Sequence, residues 1–162
     1  MRILGLDPGS RMTGVGIIEG ESFLHAETLR LGGGPMPERL GMIFTGVKGL
    51  IEEYRPAVAV VETVFMSRNP QAAIKLGQAR GAAICAAADA GLDVFEYAPR
   101  AIKQAIVGRG GAAKEQVAHM IRVLLKIEVE LGEDAHDALA AALCHYHTVQ
   151  TQKRLPAGVV LR

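Results

Sequence analysis

The chain has 162 residues, 49% hydrophobic and 22% charged, which is the composition of one globular domain with a single core. Eighteen Lys and Arg oppose seventeen Asp and Glu, so a net charge of +1 marks neither a nucleic-acid-coating nor a membrane-surface protein. No apolar run reaches the roughly 18 residues of a membrane span. The opening MRILGLDPGS lacks the apolar stretch and cleavage site of a secretory leader, so a cytoplasmic protein without membrane attachment is expected.

Residues 2–7 (RILGLD) read as a strand ending at Pro8-Gly9, and 13–19 as a second strand turning at Gly20-Glu21 into a third over 22–30. A breaker cluster runs from Gly32 to Pro37. Leu40, Ile43, Phe44, Val47, Leu50, Ile51 and Tyr54 then recur at helical spacing until Pro56. Residues 57–62 (AVAVVE) make a buried strand, followed by the loop TVFMSRN. Asn69 caps a helix with Pro70 at its first position and Gly91 as its stop. A strand over 93–97 leads to a short helix after Pro99, a mobile Gly-rich loop from Gly108 to Ala113, a helix from Lys114 to about Lys126, and a last helix from about Asp134 to Val149. Three strands followed by strands alternating with helices predict one mixed α/β sheet with helical cover over residues 1–150, and a weakly ordered tail over 151–162. Cys85 and Cys144, each in an Ala-rich helical pattern, are expected to be buried, reduced thiols.

The near-zero net charge hides a basic middle: residues 68–126 carry nine basic side chains against four acidic. Arg68, Lys75, Arg80, Arg100, Lys103, Arg109 and Lys114 gather at helix starts and loops, where phosphates can be met, although a solvated face has the same composition. Asp7 and Glu62 each end a strand on a buried sheet, where a carboxylate requires a counter-charge. Asp134 and Asp137 share a helical face three residues apart; capping alone accounts for such a pair taken in isolation. Four carboxylates from three segments suit two Mg²⁺ ions, or Mn²⁺ in their place, set about 4 Å apart for phosphodiester hydrolysis. His145 and His147 flank Tyr146 and point away from each other, which argues against zinc, and His136 is left as a surface or supporting residue. GRGGAAK lacks the Ser or Thr of a phosphate-binding loop, GVGIIEG misses the dinucleotide fingerprint by one residue, and no serine has a nucleophile-elbow motif.

Taken in order, DPGSRMTG, ETVFMSRN with NPQAAIKLGQARG, VFEYAPRAIKQAIVGRGGAAKEQV and EDAHDALAAAL resemble the RuvC family of bacterial Holliday junction resolvases over residues 2–149. The resemblance implies a ribonuclease H-like fold with a mixed five-stranded sheet and helices on both faces. It also implies an Mg²⁺-dependent endonuclease acting as a homodimer on four-way DNA junctions beside a RuvA–RuvB branch-migration complex. By the same resemblance Asp7, Glu62, Asp134 and Asp137 match the metal-binding catalytic carboxylates, Lys103 and Lys114 the active-site basic residues, and Phe65 an aromatic placed at the junction centre. From the residues alone, Phe65 is either a base-stacking aromatic or a core plug.

Ala73, Gly77 and Gly81 form a small-residue stripe, which is either a subunit interface or a face packed on the sheet. The rival reading is a non-catalytic junction-binding scaffold of the same fold, and within nucleases a ribonuclease H or exonuclease is the nearer competitor. An actin-like ATPase needs two related domains, more than this length supplies.

Overall fold

The structure, a computed structural model, describes residues 1–63 and 69–154. Ten elements follow in order: β1 (Arg2–Pro8), β2 (Met12–Glu19), β3 (Ser22–Arg30), α1 (Met36–Tyr54), β4 (Val58–Glu62), α2 (Pro70–Asp89), β5 (Asp93–Tyr97), α3 (Pro99–Val107), α4 (Lys114–Leu124) and α5 (Glu133–Arg154). The five strands form one sheet in the order β3-β2-β1-β4-β5. β1, β2 and β3 pair antiparallel, as their short connections require, whereas β4 and β5 join β1 in parallel through helical crossovers. Among the described residues no helix is long and apolar enough to cross a membrane.

Alternation along the strands sends side chains to two separate cores. Leu4, Leu6, Val15, Ile17, Ala59 and Val61 pack under α1 and α2, while Ile3, Ile18 and Val60 pack under α3, α4 and α5. β1 is covered on both faces, with Ile3, Leu4 and Leu6 fully buried.

Helix α5 sets the geometry of the second layer. Ala135, His136 and Ala138 to His145 are buried, and the helix lies so close to the sheet that only glycine fits beneath it. A Cβ on Gly5 would stand 1.9 Å from the carbonyl oxygen of Ala138, one on Gly14 would stand 2.0 Å from that of Asp134, and one on Gly16 would stand 2.7 Å from the Leu139 side chain. Gly5 faces Gly16 directly across the β1–β2 ladder, so the floor under α5 spans both strands.

Several boundaries differ from the sequence expectation. Helix α1 starts at Met36 and takes Pro37 into its first turn, where a missing N–H costs nothing. Helix α5 continues through Arg154, past the expected end at Val149 and into the segment expected to be weakly ordered. Thr148 and Thr151 bond back to the carbonyls of Cys144 and His147, and Lys153 and Arg154 complement the helix dipole. The remaining tail, 155–162, lies outside the described residues. The Gly108–Ala113 loop is anchored, because Ala112 is buried in the core and Gly108 closes α3 at φ +78°. Cys144 is buried, but Cys85 is exposed on α2, one position outside its alanine face.

That alanine face is Ala79, Ala83, Ala86 and Ala87. The Ala73/Gly77/Gly81 stripe is therefore not the sheet-packing surface: a Cβ added at Gly77 or Gly81 meets nothing within 4 Å.

The glycine floor makes a stability prediction. Gly5→Ala should destabilise the protein by about 2 kcal/mol or more, because backbone has to move. Gly49→Ala, in α1 with open space around it, should instead stabilise by roughly 0.5–1 kcal/mol. Denaturant titration of both variants measures the contrast.

Candidate active site

The β1–β4 pairing brings Asp7 and Glu62 together. Leu6 pairs with Val61 in parallel register, so the next residue on each strand, Asp7 and Glu62, emerges at the same end of two neighbouring strands. Asp7 shares the face of Gly5, and Glu62 that of Val60, which is the face covered by α5. Asp137, in the second turn of α5, comes down beside them. Lys103 from α3 and Lys114, the first residue of α4, complete a cavity of about 240 Å³ whose apolar wall includes Ile102, Val117 and Ala140.

Electrostatics mark this cavity as short of positive charge. Burial pushes the Asp7 carboxyl from 3.8 up to about 7, and the charges of Asp137, Glu62 and Asp134 push in the same direction. Glu62 is raised by burial and by Asp137, against the opposing pull of Lys114 and Lys103. Asp137 is also raised, burial outweighing its contact with Lys114 Nζ at 3.3 Å. Lys114 is held protonated, first by a 2.7 Å hydrogen bond to Glu133 and then by Asp137, and Glu133 is lowered in return.

Asp134 stands apart from the other three. It is half-buried at the start of α5 with its backbone against Gly14, and it acts on Asp7 and Asp137 through its charge without lining the cavity. As the side chains stand, no three His, Cys, Asp or Glu among the described residues converge closely enough to hold one ion. The donor set nevertheless fits a hard divalent cation. Its donors are all oxygen, and its carboxylates resist ionising, first because burial desolvates them and then because they repel one another.

Apart from Lys103 and Lys114, which line the cavity, the expected DNA-contacting residues fall into three groups. Phe65 and Arg68 lie outside the described residues. Lys75 is exposed on α2, Arg100 is exposed on α3, and Arg109 is exposed just after α3 with its guanidinium bonded to Gln116. Arg80 does not belong with them. Its side chain is 17% exposed, its Nη2 lies 2.6 Å from Glu96 Oε2, and its Nε donates to the Glu62 carbonyl at 3.4 Å. Helical spacing on α2 gave no sign that this one cation turns inward.

Glu133 was not among the sequence candidates, although its place four residues before Asp137 is the signal that both can reach one lysine. His136 is buried and not a surface residue, with Nδ1 against the Gly132 carbonyl at 3.0 Å. His145 meets the Tyr97 hydroxyl at 2.8 Å and packs on the Phe95 ring, while His147 lies near the Ala105 carbonyl and Glu21.

Comparison with known proteins agrees with this architecture. A family profile described as crossover junction endodeoxyribonuclease RuvC matches residues 3–145. The crossover junction endodeoxyribonuclease RuvC of Alkalilimnicola ehrlichii is 54% identical over 158 residues, covering 95% of this chain and 96% of that protein. The RuvC structure from Thermus thermophilus superposes with a TM-score of 0.86 at 35% identity, over 94% of this chain and 97% of that one. The same Thermus thermophilus protein in complex with Holliday junction substrate gives 0.87 at 36% identity, over 94% and 96%. With the profile spanning both ends of the sheet and the cavity between them, the chain belongs to the RuvC family of crossover junction endodeoxyribonucleases and has its ribonuclease H-like α/β fold.

Proposed function

We propose that this protein is a Mg²⁺-dependent endodeoxyribonuclease that resolves Holliday junctions by paired symmetric nicks in recombination and repair, working as a homodimer. The observation that carries the reading is the convergence of Asp7, Glu62 and Asp137 with Lys103 and Lys114 on one cavity, in a chain of this family. A relative solved with a Holliday junction substrate supports the choice of DNA. The scaffold alternative finds no support in the site, because buried carboxylates this costly to ionise are poor structural elements.

Asp7, Glu62, Asp137 and, by its charge and position, Asp134 would hold the metal. Bound Mg²⁺, with Mn²⁺ as a substitute, supplies charge stabilisation at the scissile phosphate and a more acidic water. Lys114 and Lys103 face the same cavity, where an ammonium group can position a phosphate oxygen or stabilise charge that develops on it. The apolar wall of Ile102 and Val117 limits water and so strengthens each of these interactions. Docking against a RuvA–RuvB complex is proposed on family resemblance alone.

Incubation of a labelled four-way junction, a linear duplex and an RNA–DNA hybrid, each with Mg²⁺ or with chelator, tests the function. Paired nicks in the junction alone, and only with Mg²⁺, are expected. Asp7→Asn should keep junction binding and lose cleavage by orders of magnitude, and near-normal cleavage would refute the site.

The same variant carries a pH prediction for the metal-free protein. The folded Asp7 carboxyl titrates at about 7 and its unperturbed value is 3.8. The folded state therefore binds more protons than the unfolded state between those values, and stability falls as pH rises through the window. In chelator, Asp7→Asn should be more stable than the parent at pH 8, by on the order of a few kcal/mol. The gap should close by pH 4, as thermal denaturation across pH will show.

For the dimer, Gly77→Leu projects a bulky side chain from a surface with nothing within 4 Å of it. If the stripe is the subunit interface, light scattering should report folded monomers. An unchanged dimer removes the stripe from the interface.

A further inference from the structure

We infer that Arg80 is a positioning residue for Glu62, holding the end of β4 from the opposite face of the sheet so that the carboxylate stays aimed into the active site. The inference rests on the proposed role of Glu62 as a metal ligand.

Glu62 occupies a vulnerable position. It is the last residue of a five-residue strand, and residue 63 is the last described before the 64–68 segment. On the β5 side the chain is secured by the Glu62–Tyr97 pairing and by the Thr63 N–H donating to the Tyr97 carbonyl at 2.8 Å. The Glu62 carbonyl oxygen receives the Nε–H of Arg80 at 3.4 Å. That bond is long and weak alone, but Glu96 aims it. Glu96 sits on β5 directly across from Val61, and its Oε2 lies 2.6 Å from Arg80 Nη2. A single guanidinium thereby bridges β4 and β5 at the point where the catalytic strand ends.

Arg80 comes from the other side of the sheet. It follows the buried Ala79 on α2, which packs with Leu4, Leu6 and Val61, whereas the Glu62 side chain projects toward α5 with Val60. The cavity side of Glu62 stays open for a ligand while its backbone is gripped from behind. At 17% exposure the guanidinium is already largely desolvated and paired. Recruiting it to a DNA phosphate would leave Glu96 without its partner and the Glu62 carbonyl without its donor. Supporting contacts of this type commonly change metal affinity or activity by 10–100-fold when removed.

The test compares Arg80→Met, Arg80→Lys and Glu96→Gln with the parent. Four quantities are measured: single-turnover cleavage of a labelled four-way junction in Mg²⁺, Mn²⁺ affinity of the free protein by calorimetry, junction affinity in Ca²⁺ across a salt series, and thermal stability. Arg80→Met should slow cleavage and weaken Mn²⁺ binding by roughly 10–100-fold, with junction affinity and its salt slope unchanged. Glu96→Gln should move the same two quantities in the same direction by less, and Arg80→Lys should recover part of the loss.

A phosphate-contacting Arg80 gives the opposite pattern. Arg80→Met would then weaken junction binding and flatten the salt slope, and Glu96→Gln, by releasing the guanidinium, would tighten binding. That result overturns the inference, as does parental cleavage and Mn²⁺ affinity in Arg80→Met with only a lower melting temperature. Should Arg80→Met fail to fold, Glu96→Gln decides by the sign of its effects. A parent protein that leaves the junction intact refutes the proposed function itself, an outcome separate from any effect of Arg80.

Discussion

The close approach of α5 to β1 and β2 is the constraint on which the rest of the molecule depends. Gly5, Gly14 and Gly16 leave no Cβ under the helix, and Ala138 and Ala142 on its underside add little bulk of their own. Interiors pack without slack, so one extra methyl group here has to be absorbed by moving a helix or a strand. Because Asp137 rides on α5 and Asp7 on β1, the glycine floor also sets the distance between two carboxylates of the cavity. Packing and the geometry of the cavity are the same requirement at this point.

The charge arrangement above that floor follows from burial. Asp7, Glu62 and Asp137 all resist ionisation because they are desolvated, and Asp137 acts on both of the others. Two lysines oppose them without cancelling the excess, since Lys114 divides itself between Asp137 and the exposed Glu133. A bound cation would offset the same excess of negative charge that protonation offsets in its absence.

The basic middle of the chain is less uniform in space than in sequence. Lys103 and Lys114 turn into the cavity, Arg80 is committed to Glu96 and the Glu62 backbone, and Arg122 bonds to the Val129 carbonyl near Glu130. Lys75 and Arg100 remain on the surface. A run of cations that reads as one electrostatic patch thus divides into groups that hold the site together and groups that present charge to solvent.

Much of this was legible in the residues themselves. Alternation and helical spacing located the five strands and five helices, because those periods are set by backbone geometry and not by neighbours. Acidic residues at strand ends pointed to Asp7 and Glu62, since a carboxylate is an expensive choice there unless it is used. Gly14 and Gly16 of the motif GVGIIEG had no local explanation: they serve a helix more than a hundred residues away, and no local window contains that helix. Arg80 and Glu133 were hidden for the same reason, their meaning lying in partners on other elements or on the far side of a helix turn. The extent of α5 past Val149 also lay beyond pattern reading, because polar residues at a helix end follow no apolar period. Local sequence determined which elements form and which residues are chemically costly; the parallel register of β1 with β4 and the seating of α5 decided which of those residues meet, because convergence is a property of packed surfaces and not of spacing along the chain.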